Sequence, residues 1–144
     1  MAPLFTEFAD HWQLSVPDLV VTRLLIDYQV TLQLLVPGGS LDISIGLPFT
    51  ITTEVGVVQL NPADDPRLLA PTLAAARKRL ESLKAFKDGR LDLVLEGGAI
   101  WRVERSPRFE AWQISGPGGL LTVALPGGSL AEWHQREEPE PRST

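Results

Sequence analysis

Apolar and polar residues alternate in short runs along most of the chain, and a period of two is that of a strand with one buried face. The pattern is clearest at Val30-Thr31-Leu32-Gln33-Leu34, where Val30, Leu32 and Leu34 point one way and Thr31 and Gln33 the other. Pro37-Gly38-Gly39 then supplies a turn, and Leu41, Ile43 and Ile45 alternate with Ser40, Asp42 and Ser44, which predicts a hairpin return. The same grammar recurs downstream. Lys87-Asp88-Gly89 introduces Leu91-Asp92-Leu93-Val94-Leu95, Gly97-Gly98 turns the chain, and Ala99-Ile100-Trp101-Arg102-Val103 comes back. A shift of 61 residues places Asp27 on Asp88, Val30 on Leu91, Leu32 on Leu93 and Leu34 on Leu95. This reads as a weak internal repeat of a β-meander, with convergence of generic strand patterns open beside it.

Between the two copies the period changes. Asn61-Pro62-Ala63-Asp64-Asp65-Pro66 has the form of a helix entry, because an Asp side chain can accept from free backbone amides and proline is tolerated in a first turn. Leu69, Leu73, Ala76 and Leu80 follow at three- and four-residue intervals, one apolar stripe able to lie on a sheet. Pro71 would strain a helix interior, so the main helix is expected over about Thr72 to Arg79. Leu80 to Phe86 is read as a strand, by analogy with Leu19 to Leu25, with helical spacing nearly as good and a helix left open beside it. Phe109 to Ile114, Leu120 to Leu125 and Leu130 to Trp133 predict three further strands joined by glycine-rich turns. The fold class is therefore α+β and predominantly β: two antiparallel meanders with one helix between them. Residues 1–134 form the single expected domain, and the acidic run 135–144, which has no apolar residue to anchor it, forms a frayed tail.

Composition narrows the chemistry. At 144 residues and 44% hydrophobic content the chain can bury a core without staples, and having no cysteine it has no disulfide, thiolate metal site or cysteine nucleophile. No segment reaches the roughly 18 apolar residues of a membrane span, and the first residues lack a basic region followed by an apolar one, so a cytoplasmic location and no membrane partner are expected. A net charge of -5 opposes phosphate neutralisation and argues against a nucleic-acid partner. Arg77-Lys78-Arg79 is better read as cations meeting the negative end of a helix than as a phosphate patch.

The motifs that could carry chemistry have simpler explanations. Pro37-Gly38-Gly39-Ser40-Leu41 and Pro126-Gly127-Gly128-Ser129-Leu130 are identical pentapeptides, but neither leads into the lysine and hydroxyl residue of a phosphate loop, so both are turns between strands. Only His11 and His134 exist to serve a nucleophile or a metal, and their spacing selects no ligand geometry. Asp64 and Asp65 are explained by helix capping and Asp88 by its turn. No catalytic residue, cofactor or metal is expected. The most suggestive feature is four tryptophans in so short a chain, since such rings anchor interfaces as well as cores; Trp12, Trp112 and Trp133, with Tyr28, are the candidate contact residues.

The order of these elements carries a resemblance. Asp27-Tyr28 precedes the first strand, Asn61 to Pro66 opens the helix, Lys87-Asp88-Gly89-Arg90-Leu91 opens the second meander, and Trp112 and Pro126 to Trp133 close the chain. From about Asp18 to Trp133 the sequence resembles a family of small uncharacterised actinobacterial proteins, a domain of unknown function. Its motifs are turn and strand residues, so the resemblance implies a shared fold and offers no catalytic residues. The functional expectation is a noncatalytic protein-binding module of inhibitor or immunity type, its acidic face covering a basic partner. The alternatives are a small-molecule-binding domain or hydrolase using Asp27, Asp42 or Glu54, and a self-assembling structural domain whose exposed strand edges pair between copies.

Overall fold

The computed structural model describes residues 4–125 and 127–133. Thirteen strands appear among them: β1 (Phe5–Glu7), β2 (His11–Leu14), β3 (Val21–Ile26), β4 (Val30–Val36), β5 (Gly39–Ile45), β6 (Phe49–Thr53), β7 (Gly56–Leu60), β8 (Leu80–Phe86), β9 (Leu91–Leu95), β10 (Ile100–Val103), β11 (Trp112–Ser115), β12 (Leu121–Ala124) and β13 (Leu130–Trp133). All pairings are antiparallel and form two sheets, of seven strands in the order β1-β2-β8-β9-β10-β6-β7 and of six in the order β13-β12-β11-β5-β4-β3. The expected tail and His134 lie outside the described residues.

Alternation in the sequence becomes alternation of burial. In β4 and β5 Leu32, Leu34, Leu41, Ile43 and Ile45 are buried, while Thr31, Gln33, Asp42 and Ser44 are only partly so. Leu32 faces Ile43 across the pair, and Thr31 faces Ser44, with hydroxyls 3.0 Å apart. Leu91, Leu93 and Leu95 of β9, with Trp101 and Val103 of β10, do the same in the other sheet. Side chains from both sheets join in one hydrophobic cluster. Burial of one large apolar side chain stabilises by about 1.5–3 kcal/mol, so this shared core is the main source of stability.

The chain changes sheet after each meander. β3, β4 and β5 lie in the six-stranded sheet, and the chain then crosses to add β6 and β7 beside β10. β8, β9 and β10 lie in the seven-stranded sheet, and the chain crosses back to add β11 and β12 beside β5. Where the two meanders begin, Val20 bridges Arg79; the Val21 amide donates to the Lys78 carbonyl at 2.9 Å and the Leu80 amide to the Leu19 carbonyl at 2.7 Å. One residue bulges in each first strand, Thr22 in β3 and Glu81 in β8. The next turns carry the same device: Asp27 accepts from the Gln29 amide at 2.9 Å and Asp88 from the Arg90 amide at 3.1 Å.

The helix differs from expectation in its winding and its bounds. It is a 3₁₀ helix over Pro66–Ala75, where α-helical spacing places it over Thr72 to Arg79. Asp65 caps it by accepting from the Arg67 amide at 2.9 Å, and Pro66 occupies its first turn. Pro71 lies inside; it has no amide to donate, and in an α-helix its ring crowds the carbonyl four residues back. Three residues per turn put Leu69, Thr72 and Ala75 on one face, and these are the buried ones. The Thr72 hydroxyl is satisfied by donating to the Leu69 carbonyl at 2.7 Å. Leu73, assigned to the buried stripe by α-helical counting, is exposed, and Leu80 belongs to β8.

Candidate functional site

The β6–β7 hairpin turns at Glu54-Val55, between the paired Thr53 and Gly56. Gly56 has φ +139°, a conformation that a residue with a side chain rarely adopts. Beyond it the alternation that governs the other strands fails. Gly56 to Gln59 are all exposed and only Leu60 is buried, because β7 is the last strand of its sheet. Val55 is 98% exposed and Val57 65%, and Val58 is also exposed.

Facing this hairpin is the 3₁₀ helix, and between them runs a groove of about 300 Å³. Ile51, Val55 and Val58 come from the hairpin, Pro71, Ala74 and Ala75 from the helix, and Leu95, Ala99 and Trp101 from β9, β10 and the turn joining them. The lining is mostly apolar, with Lys78 and Glu96 supplying the charges. Glu96 accepts from the Arg79 amide at 3.1 Å, and that backbone donor, with the nearby Arg79 and Lys78 charges, holds its carboxyl below the ordinary range. Such a surface can take up apolar side chains and, along β7, a further strand.

The tryptophans divide by environment. Trp112, expected as a contact residue, is buried at 2% exposure, and its indole N–H donates to the Gly89 carbonyl at 2.8 Å. Its position accounts for the burial: Trp112 opens β11 on the core face opposite Ile45, and its ring reaches the β8–β9 turn. Trp12 is half-buried against the core with the Lys87 ammonium 5.9 Å from its ring. Trp133 sits opposite Leu121 at the end of β13. Tyr28 is 86% exposed in the β3–β4 turn. Trp12, Trp112 and Tyr28 do not line the groove.

Other candidate groups are engaged elsewhere. His11 lies 2.6 Å from Asp10 through Nδ1 and stacks on Phe8 at 4.8 Å, and the His11 bond is the main cause lowering the Asp10 carboxyl. Among the described residues no three His, Asp or Glu side chains gather as a metal site. Asp27, Asp42 and Glu54 line neither the groove nor a second concavity of about 320 Å³ beside Ser15, Asp18, Arg79 and Glu81. Asp92 is held by Arg102 at 3.0 and 3.1 Å. Among the described residues no helix is long and apolar enough to cross a membrane.

Sequence reasoning missed Val55, Val57 and Val58. The available signal was the adjacent pair Val57-Val58 after a turn, which puts one valine on each face of the strand and so cannot bury both in a one-sided sheet.

Comparison with known proteins finds no curated protein and no solved structure that matches the chain. A family match spans residues 12–134, wider than the stretch of turn and strand motifs, and on it the chain belongs to a family of unknown function, DUF6188.

Proposed function

We propose that this chain is a noncatalytic protein-binding module that presents the β7 edge and the adjoining groove to its partner, on a scaffold made of two copies of one β unit. The observation that carries the binding reading is the cluster of exposed valines on an unpaired edge strand, next to an apolar groove walled by the helix. Contiguous exposed apolar surface of this kind marks interaction sites.

Support for the duplicated unit comes from correspondences that generic strand patterns do not require. Across the first strand of each unit a shift of 59, which becomes 61 from Asp27 and Asp88 onward, carries Val20 onto Arg79, its own bridge partner, and exchanges the two flanking hydrogen bonds, Val21 to Lys78 and Leu80 to Leu19. The same shift carries the bulged Thr22 onto the bulged Glu81, and Asp18 onto Arg77, which among the described residues are the two non-glycine residues with positive φ, 61° and 68°. Strand order agrees, since β3-β4-β5-β11-β12 in one sheet matches β8-β9-β10-β6-β7 in the other.

Photo-crosslinking tests the binding reading. A photoreactive residue placed at Val55 or Ala74 in the full chain is expected to give discrete adducts with protein in cells, while one at the exposed Leu35 of the other sheet gives none. Equal labelling from all three positions, or none from any, refutes the proposal.

A further inference from the structure

The β7 edge differs from the other sheet edges in what protects it. Natural edges are blunted by charge, proline, bulges or shortness, because a bare edge pairs with another chain. β1 is three residues long and carries Glu7, paired with Lys87 at 2.6 Å. β3 has the Thr22 bulge and Arg23, and β13 has four residues, one of them Glu132. β7 is Gly56-Val57-Val58-Gln59-Leu60, with no charge, no proline and no bulge in its register with β6. In the duplicated scaffold its counterpart is β12, and β12 is covered by β13.

Hairpin geometry fixes which groups are bare. A two-residue turn closes on a hydrogen-bonded pair, here Thr53 with Gly56, so Gly56, Val58 and Leu60 direct their amides and carbonyls to β6. Val57 and Gln59 direct theirs outward. Two such edges brought together antiparallel about a twofold axis at Val58 place Val57 of each opposite Gln59 of the other, so all four outward groups on each edge are satisfied. Val58 then meets its own copy in the closely spaced, non-hydrogen-bonded pair, where side chains touch best.

We infer that the occupant of the β7 edge is a second copy of this chain, joined by antiparallel β7–β7 pairing into a closed dimer. The inference rests on the binding reading above and names its partner. The register is self-complementary and no like charges oppose it: a twofold axis brings every charged edge residue near its like, and β7 has none. Five residues of ladder and a few valines bury less than the roughly 800 Å² per partner of a standard interface, so the dimer is weak.

Sedimentation velocity of the full chain from about 1 µM to about 1 mM reads this directly. Wild type is expected to pass from monomer to dimer and to stop there. Val58→Lys sets two ammonium groups against each other and raises the midpoint at least about tenfold, and mixing it with Val58→Glu restores the dimer. Val57→Pro removes an amide that β6 does not use, so it weakens the dimer while thermal melting shows the fold retained; it carries the test if Val58→Lys fails to fold. Wild type monomeric throughout, assembly beyond a dimer, a Val57→Pro variant as dimeric as wild type, or no recovery on mixing overturns the inference. A monomer that still gives adducts with other proteins at Val55 and Ala74 leaves the binding-module reading standing and removes only this one.

Discussion

Replacement of Trp112 by Phe isolates one hydrogen bond in the core. The Trp112 indole donates at 2.8 Å to the carbonyl of Gly89, itself buried, and phenylalanine keeps an aromatic ring there but no donor. Leaving a buried acceptor unsatisfied costs about 1–3 kcal/mol. The smaller ring leaves a void, and a residual cavity adds about 1 kcal/mol. A loss of about 2–4 kcal/mol is a large part of the roughly 5–15 kcal/mol by which a domain is stable. At this chain length each kcal/mol moves Tm by about 3 °C, so a fall of about 6–12 °C is expected. Far-UV circular dichroism during urea and thermal unfolding measures it without relying on tryptophan emission. A loss below about 0.5 kcal/mol would show that the Gly89 carbonyl finds water or another donor, and would refute the reasoning.

Two further outcomes follow from the same region and from the ion pairs. Gly127→Ala, at φ +87° with open space around its missing Cβ, is expected to cost only the conformational penalty of about 1–2 kcal/mol, whereas Gly128→Ala, whose Cβ would press on the Asp88 carbonyl and lie 2.6 Å from Arg105 Cδ, should lose several kcal/mol more in urea unfolding. The carboxyls of Asp65 and Glu96 are held low in the folded chain, Asp65 first by the Arg67 side chain and Glu96 first by the Arg79 amide. Depressed carboxyls stabilise above their unfolded values and lose that contribution as pH falls through the folded ones, so urea midpoints should be level near neutrality and decline below about pH 4. Asp65→Asn should flatten part of that decline, and added salt should shrink the Asp65 share more than the Glu96 share, since only the first is dominated by an exposed ion pair.

How much of this was legible depends on where the cause of each feature lies. Meander strands β4, β5, β9 and β10 were readable because period-two alternation states which face is buried, and β8 because its neighbours in sequence matched those of β3. The helix was readable as an element and misread in winding. Leu69, Leu73, Ala76 and Leu80 fit an α-helical stripe as well as Leu69, Thr72 and Ala75 fit a three-residue one, and only burial of the threonine face decides between them. Trp112 could not be assigned from its own strand, because its partner is a turn carbonyl 23 residues earlier. The β7 valines were passed over because they break the alternation by which strands are recognised.

The two identical pentapeptides show why the site itself could not be read locally. At Gly38 and Gly39 an added Cβ would meet only the Pro117 ring at 3.7 and 3.6 Å, ordinary contact, while at Gly128 it would run into the β8–β9 turn. The shared glycine pair serves as an open hairpin turn in one place and as a close crossing in the other, and the difference is the β8–β9 turn and Arg105 packed against the second pair. The groove is built the same way. Its walls come from around residues 51–58, 71–78 and 95–101, brought together because the chain leaves one sheet after β5 and inserts β6 beside β10. A sequence records each wall, but the sheet crossing that makes them neighbours depends on pairings more than 40 residues apart, such as Ile51 with Trp101, and those become visible only in the folded chain.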